Sequence, residues 1–503
     1  MKAQANSRLL ALFVFLPALV ALSMATIWII AHQYTNDIAY MNWARISAIL
    51  SAPEVRLEDL GLIYPHIPLY QLIPFYYLPG LNSFDAPFFA TVFVGSALLA
   101  VWFRHLQQRG YSLTISLLLL VTIALHPQFL WAITSGTEKA LSLFLFYSLC
   151  YSCVRMVHVG DVRAFIMLGC VMAIFFFVDQ RTFYLFFALL PMIVLIAPER
   201  MLKDSILSVY TSISLPLLIA LCSWMYLNWL FTGNSLQFIY DEGSSFLGAK
   251  HNANEFQWLQ LTGGQFLEPL VFASIYSLLS YPVLIWFLYK SYRHKLLLRG
   301  ALVILLHPLI AIALATQNFF LNHPANIAFL YSAGLMAFFI LMPRLKKTDQ
   351  KVVIVLLLLS NLSGWATFSW WSTNEMKNWQ TALVGETVEP SHVADKKLGK
   401  WLRDNPEQTM IDLRVGYRAV VERRNMHQLV LPFMKEFKVA VKKRDTQIEQ
   451  IVVINPEHDE ARRDRVSQHF NTLYLNGIAG YKRVYDQDYW RVYRRIDAVK
   501  REG

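Results

Sequence analysis

The stretch that decides the fold is LLALFVFLPALVALSMATIWIIA at residues 9–31, which is followed by the polar segment HQYTNDIAY at residues 32–40. A helix needs roughly 17–25 apolar residues to cross a bilayer, and this run supplies them without a charge. Lys2 and Arg8 precede the run as they would in a secretory signal peptide, but the apolar core is too long and no small-residue cleavage site precedes His32. We therefore expect the run to remain in the protein as a membrane anchor.

Apolar runs of similar length continue through most of the chain. Of the 503 residues, 56% are hydrophobic and only 16% are charged, a composition that a soluble domain does not need. We therefore expect a polytopic α-helical membrane protein with about eleven spans. The predicted spans lie near residues 9–31, 86–103, 112–131, 139–157, 164–179, 182–197, 206–231, 266–289, 300–317, 325–342 and 352–371.

Basic residues alternate between the short loops that join these spans. The clusters fall in every second loop, on the side of the N-terminus, and such clusters mark the cytoplasmic side of a membrane. Residues 32–85, residues 232–265 and the tail after about residue 372 are therefore expected outside the cytoplasm. The pair 164–179 and 182–197 is short, and its loss would leave this orientation unchanged. The residues that set the orientation are Arg104, His105, Arg109, Arg155, Arg163, Arg200, Lys203, Arg293, His294, Lys295, Arg299, Arg344, Lys346, Lys347 and Lys351.

The composition changes abruptly to a charged, mixed sequence after Trp371. This change predicts a transmembrane domain at residues 1–372 and an extracytoplasmic soluble domain at residues 373–503. The tail has the pattern of a small α/β domain. Its predicted elements are a strand at 450–455, helices at 395–402 and 459–470, and a closing hairpin that pairs 481–485 with 489–493.

All four cysteines lie in apolar spans, so the predicted outer domain has no disulfide framework. Cys150 and Cys153 form a CxxC, but on a membrane helix this spacing is more often coincidence than a redox or zinc site. The net charge of +11 follows in part from the cytoplasmic loops. The positive charge is therefore better explained by orientation in the membrane than by nucleic-acid binding.

Asp37 stands at the mouth of the first membrane helix, where a carboxylate is costly and is usually retained for function. Tyr40 and Arg45 lie three and eight positions further on. This spacing places all three broadly on one side of a short amphipathic helix at the membrane surface, with Asn42 turned away. Two structural alternatives stand beside a functional one: Asp37 caps the helix, and Arg45 pairs with Asp37 instead of binding a phosphate.

Several short elements, in their order along the chain, resemble those of one enzyme superfamily. Besides Asp37, the segment Tyr64-Pro65-His66-Ile67-Pro68-Leu69-Tyr70 resembles a Tyr-Pro-Pro-Leu-Tyr element, with two residues inserted between the prolines. The loop Ser135-Gly136-Thr137-Glu138-Lys139 is similar to one that carries a second acidic residue. Residues 9–371 thus resemble the GT-C glycosyltransferases, and most of all the lipid A aminoarabinose transferase and protein O-mannosyltransferase group.

The resemblance implies a reaction and a set of site residues. GT-C enzymes transfer a sugar from a polyprenyl phosphate to an acceptor at the outer face of the membrane. Transfer with inversion needs a carboxylate that takes the proton of the acceptor hydroxyl, and cations that steady the departing phosphate. The resemblance implies that the catalytic residues are Asp37 and Glu138, and that the substrate-binding residues are Tyr40, Arg45, His66, Arg181 and His323.

Several of these residues also have a purely structural explanation. The negative charge of Glu138 would interact favourably with the dipole of the helix that follows it. Arg181 would hold a phosphate through two parallel hydrogen bonds, or would pair with Asp179. The prolines around His66 fix an extended, rigid turn, so a structural role for them is more expected than contact with substrate. His323, beside a proline, would be an ordinary turn residue.

The implied partners are a polyprenyl-phosphate sugar donor, membrane lipid, and a glycan, lipid or protein acceptor, with no nucleic acid. Many relatives carry a second acidic residue beside the first, but the neighbours of Asp37 are Asn36 and Ile38. This departure weakens the case for a metal-binding pair, so a divalent metal stays open and no other cofactor is expected. The predicted outer domain has no Asn-x-Ser/Thr acceptor, which favours a bacterial inner membrane.

Two other classes of function compete with an inverting glycosyltransferase. Polytopic proteins with scattered polar residues include many transporters, but the chain shows no two-fold repeat of its spans and few ionisable residues in mid-span. A scaffold protein whose outer domain binds a partner is favoured only by the unassigned tail. Substitution of Asp37 separates an enzyme from a scaffold, and substrate flux across vesicles identifies a transporter.

Overall fold

A computed structural model of the protein describes residues 2–51, 66–81, 83–159, 162–179, 182–240, 267–293, 334–342, 345–370, 372–388, 393–423, 426, 428–432, 434–443, 448–458, 461 and 464–496. In chain order its α-helices are α1 (Lys2–Ala31), α2 (Asp37–Leu50), α3 (Ile67–Tyr70), α4 (Ile73–Tyr77), α5 (Ala86–Gln108), α6 (Leu113–Ala124), α7 (Pro127–Thr134), α8 (Lys139–Val159), α9 (Val162–Phe176), α10 (Thr182–Ile196), α11 (Glu199–Thr232), α12 (Gln237–Tyr240), α13 (Leu267–Ser280), α14 (Val283–Arg293), α15 (Lys347–Trp370), α16 (Asn374–Leu383), α17 (Val393–Asp404), α18 (Leu413–Arg423), α19 (Lys435–Lys443), α20 (Arg465–His469) and α21 (Leu473–Asn476). The strands are β1 (Thr409–Met410), β2 (Leu429–Val430), β3 (Gln450–Ile454), β4 (Tyr481–Gln487) and β5 (Trp490–Arg495), and a 3₁₀ turn covers Phe338–Leu341.

The chain forms two compact units. The first, called the helical unit, contains Met1–Tyr34 and Phe88–Glu386. The second, called the mixed unit, contains Thr35–Pro87 and Thr387–Gly503. The segment that carries Asp37 therefore folds together with the C-terminal part of the chain. The domain division at residues 372 and 373 stays a prediction.

Long apolar helices make up most of the helical unit. Among the described residues, five are long and apolar enough to cross a membrane, or six if a bent pair counts as one span. They fall on the runs predicted at 9–31, 86–103, 139–157, 206–231 and 352–371, whereas 164–179 and 182–197 contain shorter apolar helices. The polytopic helical architecture is thus confirmed, while the count of eleven spans stays a prediction. The helices that pass this test are Leu12–Ala31, Ala86–Gln108, Lys139–Val157, Glu199–Thr232 and Lys347–Trp370.

Two predicted runs are not single straight helices. The run at 266–289 is divided into α13 and α14, because Pro282 follows α13 and lacks the N–H that a continuous helix needs. The run at 112–131 is divided into α6 and α7, which meet at an angle of 74°. Pro127 begins α7 and disfavours the helical conformation at His126, whose ψ is 129°. Proline is tolerated at the start of a helix, so a new helix can begin directly after each break.

Helix α15 packs against the bend between α6 and α7. The side-chain amide of Asn361 donates to the carbonyl oxygen of Thr122 at 2.7 Å. Gly364 lies against the ring of His126, and a Cβ at this position would lie only 2.4 Å from the imidazole Nε2. The bend thus depends on a close approach that only glycine permits.

A five-stranded sheet forms the centre of the mixed unit, in the order β2-β1-β3-β5-β4. Strands β1, β2 and β3 are parallel, and β5 joins β3 and β4 in antiparallel pairs. The predicted strand at 450–455 and the predicted C-terminal hairpin are confirmed. Of the helix predicted at 459–470, the described residues contain α20, which begins after Asp464.

Helix α2 belongs to the hydrophobic core of the mixed unit. Its Ala44 and Ala48 are buried in one cluster with Leu398 of α17, Val420 of α18 and Trp490 of β5. The two small side chains let α2 pack closely on α18, and this packing fixes the direction in which the first turn of α2 points. The sheet side of the unit therefore positions the segment that carries Asp37.

Candidate functional site

Helix α2 begins with an asparagine cap. Asn36 has an extended backbone, with φ of −124°, and its side chain accepts a hydrogen bond from the backbone N–H of Ala39 at 3.1 Å. The structural alternative in which Asp37 itself caps the helix is therefore wrong. Asp37 is the first residue of the helix, where a negative charge interacts favourably with the helix dipole. The carboxylate of Asp37 is therefore not used for this cap and can bind another residue.

That partner is Arg418 of α18. Its Nη2 donates to both carboxylate oxygens of Asp37, at 3.1 and 3.0 Å. The side chain of Asp37 is 59% exposed, whereas that of Arg418 is only 15% exposed. A solvent-accessible carboxylate is thus held by a cation that is itself largely covered by protein. Sequence reasoning missed this residue, because Arg418 lies 381 positions away in a tail without a recognisable motif.

Asp395 of α17 forms a second ion pair with Arg418. Its Oδ2 lies 3.6 Å from Nη1 of Arg418. Its Oδ1 accepts hydrogen bonds from the hydroxyl of Tyr489 at 2.8 Å and from the indole N–H of Trp490 at 2.7 Å. Burial on its own would lower the pKa of Arg418, but Asp37, Tyr417 and Asp395 together raise it. The guanidinium therefore stays charged between two carboxylates.

Tyr40 lies one turn after Asp37 on α2 and is half-buried beside Phe84, with ring centroids 6.1 Å apart. Burial, and then the charges of Asp85 and Asp37, raise its pKa well above the ordinary value. Burial also raises the pKa of Asp85. The phenol is therefore protonated at neutral pH and can donate a hydrogen bond.

Two further predicted residues lie in the mixed unit. Arg45 is half-buried on α2, two turns after Asp37. His66 is buried directly before α3, and its ring lies 5.9 Å from that of Tyr70. The extended turn predicted here is wrong for residues 66–70, which form the start of α3 with Pro68 in its first turn, a position that proline tolerates. Tyr64, Pro65, Arg181 and His323 lie outside the described residues.

Glu138 belongs to the helical unit. It is half-buried immediately before α8, and its carbonyl oxygen accepts the N–H of Ser142 at 2.9 Å. The adjacent Lys139 donates to the hydroxyl of Thr137 at 3.1 Å and lies 4.3 Å from the ring centre of Trp131. The loop is thus a compact polar segment next to an aromatic residue.

A second carboxylate in the helical unit, Glu375, was not predicted. One of its oxygens accepts hydrogen bonds from the indole of Trp131, at 3.1 Å, and from the hydroxyl of Tyr34. Glu375 lies in the first turn of α16, whose Trp379 donates to Thr134 of α7 at 2.8 Å. These bonds join α16 to α7 and to the residues that follow α1. Only the abrupt change of composition near Trp371 hinted at this junction in the sequence.

In the part of the chain that the structure describes, no cluster of three or more His, Cys, Asp or Glu side chains has the proximity that a metal ion needs. Cys150 and Cys153 are both buried in α8, within the predicted span. The described residues therefore suggest no set of metal ligands, and dependence on a divalent metal is a matter for measurement.

No protein-family model matches the chain, and no curated protein matches its sequence. A solved structure does: the crystal structure of ArnT from Cupriavidus metallidurans bound to undecaprenyl phosphate, with a TM-score of 0.57. The chain has a GT-C-like fold. The match covers 96% of this chain and 97% of ArnT at 11% identity, so it concerns the fold and not individual residues. The predicted resemblance to GT-C proteins is confirmed at this level.

Proposed function

We propose that this chain is an inverting glycosyltransferase that moves a sugar from a polyprenyl-phosphate donor to an acceptor at the outer face of a membrane. The observation that carries the proposal is the exposed carboxylate of Asp37, which is held by Arg418 and follows the first apolar helix in the sequence, in a chain with a GT-C-like fold. ArnT was solved with undecaprenyl phosphate, which supports a lipid phosphate as the leaving group.

The reaction assigns a step to Asp37. Its carboxylate takes the proton of the acceptor hydroxyl while the hydroxyl oxygen forms a bond to the anomeric carbon of the sugar. The bond from that carbon to the phosphate oxygen breaks, and the electron pair leaves with the lipid phosphate. Attack opposite to the leaving group inverts the anomeric configuration. Glu138 is the second catalytic carboxylate of the proposal.

Cations must hold the lipid phosphate while the sugar leaves. We assign this task to Arg45, Arg181 and His323, with Arg181 as the first choice, because an arginine binds a phosphate through two parallel hydrogen bonds. Tyr40 and His66 complete the proposed substrate-binding set; Tyr40 does so as a neutral hydrogen-bond donor. The proposed location is a bacterial inner membrane, with residues 32–85, 232–265 and 373–503 outside the cytoplasm. Residues 373–503 form the proposed soluble domain.

The experiment uses the full chain in lipid nanodiscs with a panel of undecaprenyl-phosphate sugars. Release of undecaprenyl phosphate, together with the anomeric configuration of the product, measures the reaction. We expect saturable binding of undecaprenyl phosphate and inverted product from one donor, and a parallel assay with a chelator decides metal dependence. Absence of undecaprenyl phosphate binding would contradict the proposal, and flux of lipid across vesicles without sugar transfer would identify a transporter.

The phosphate ligands are tested by binding. Undecaprenyl phosphate affinity is measured for Arg45→Gln, Arg181→Lys and His323→Gln, with thermal stability recorded for each. We expect Arg181→Lys to weaken binding although the charge is kept, because an ammonium cannot form the paired hydrogen bonds. Unaltered affinity in all three variants would end this part of the proposal.

A further inference from the structure

We propose that Arg418 is a positioning residue that sets the orientation of the Asp37 carboxylate for proton acceptance. This inference rests on the proposed function and assigns a part of the reaction to the C-terminal segment of the chain. Its starting point is the geometry of the ion pair, in which a single nitrogen, Nη2, lies 3.1 and 3.0 Å from the two oxygens of Asp37. These nearly equal distances place the donor between the two oxygens.

This geometry leaves the carboxylate usable as a base. A carboxylate group has about four lone-pair sites, and a donor between the two oxygens occupies only the inner ones. The outer sites remain directed toward solvent, in agreement with the 59% exposure of the Asp37 side chain. The terminal torsion of an aspartate is broad when no partner fixes it. Arg418 therefore restricts the rotation of the group and leaves room for an acceptor hydroxyl.

Arg418 is itself fixed by a buried network. Asp395, whose side chain is 2% exposed, lies 3.6 Å from Nη1 of Arg418 and receives hydrogen bonds from Tyr489 and Trp490. Trp490 is fully covered in the core that also holds α2 against α18. The sheet thus sets the position of Asp395, Asp395 sets that of Arg418, and Arg418 sets that of Asp37.

A stability role alone does not account for the pair. An ion pair with one partner exposed to solvent contributes only about 0–1 kcal/mol to folding, since water screens the attraction and ordering the side chains costs entropy. A misplacement of a reacting group by about 1 Å, in contrast, costs on the order of 10²-fold in rate. Removing Arg418 also leaves the buried carboxylate of Asp395 without its ion-pair partner, which costs stability. The loss that tests the inference is therefore the loss of turnover per folded protein.

The test is a double-mutant cycle on the full chain in nanodiscs, with single-turnover release of undecaprenyl phosphate as the measure of rate. We expect Arg418→Gln to lower the rate by roughly 10- to 100-fold with little change in the KM for the donor. In the Asp37→Asn background the same change should have no further effect, because Arg418 acts through Asp37. Arg403→Gln is the matched control, since it breaks a pair with Glu422 at 3.7 Å elsewhere on α17 and α18.

Each outcome decides the inference. An unchanged rate in Arg418→Gln overturns it, as does an equal loss in both backgrounds, which would mean that Arg418 acts independently of Asp37. A loss in Arg403→Gln equal to that in Arg418→Gln also overturns it, because any weakening of α17 and α18 would then suffice. Near wild-type turnover in Asp37→Asn alone contradicts the proposed catalytic role instead. If Arg418→Gln fails to fold, Arg418→Lys keeps the charge, alters the geometry and replaces it in the same cycle.

Discussion

Asp37 and Glu375 are two carboxylates in the first turns of two helices, each of which begins after a side-chain cap. Asp37 is exposed and held by a guanidinium, whereas Glu375 is half-buried and accepts hydrogen bonds from a neutral phenol and a neutral indole. The comparison teaches that position at a helix start does not decide the role of a carboxylate. Solvent access and the kind of partner distinguish the carboxylate that we propose as the base from the one that joins helices.

The largest expected effect is the loss of turnover in Asp37→Asn. The amide keeps the shape of the side chain but cannot accept the acceptor's proton, so the rate should fall on the order of 10²–10⁴-fold. Thermal stability should change little, because an exposed ion pair contributes little to folding. Turnover and melting temperature are measured on the same preparation. A similar loss of turnover in folded Glu375→Gln would break the comparison.

A smaller effect, on folding, is expected at Glu375. Removal of its acceptor oxygen in Glu375→Leu leaves the buried side chains of Tyr34 and Trp131 without this bond, which costs about 1–3 kcal/mol. The folded fraction should keep its turnover. Thermal unfolding in nanodiscs measures the loss, and Glu386→Leu, at an exposed position of the same unit, is the control. Equal melting temperatures in the two variants would contradict a structural role for Glu375.

A third expected effect is a pH dependence of stability, which comes from a carboxylate that is fully buried. Burial and the neighbouring Asp412 raise the pKa of Asp464 from 3.8 to about 7. The folded state therefore holds a proton that the unfolded state releases, so stability should be greatest at acidic pH and fall as the pH rises from about 4 to about 7.

Asp464 also caps α20 through the N–H groups of Val466 and Ser467. Asp464→Asn keeps this cap but cannot titrate, so it should flatten the pH dependence of the melting temperature of the mixed unit. Melting curves at pH 5 and pH 8 measure the difference between the two proteins. An unchanged slope in Asp464→Asn would place the titrating proton elsewhere.

Much of the fold was predictable because its signals are local. Apolar length predicted the long helices, and alternation around Asp488 predicted the hairpin, where this residue adopts a φ of 55° in the turn. The bend at His126 was missed, although Pro127 was the signal for it. Strands β1 and β2 have only two residues each, too few for a period to show.

The candidate site was predictable only in part because its contacts join distant segments. Asp37 and Tyr40 lie on one helix and could be found by spacing and membrane position. Arg418 and Asp395 lie in charged helices of the tail, where ionisable residues are common and nothing local separates a partner of Asp37 from a solvated side chain. Their role follows from the packing of α2 on α18, which no periodicity in either segment encodes.

The bend between α6 and α7 has a consequence for how the protein is made. Helix α6 has 12 residues and is therefore about 18 Å long, well short of the roughly 30 Å of hydrocarbon in a bilayer. The segment that completes its packing is α15, whose Asn361 lies 239 residues after Thr122. The ribosome synthesises most of the long apolar helices before it synthesises α15. The early part of the chain therefore stays incompletely folded in the membrane until α15 is made. A chain truncated before Lys347 should then be degraded by membrane proteases.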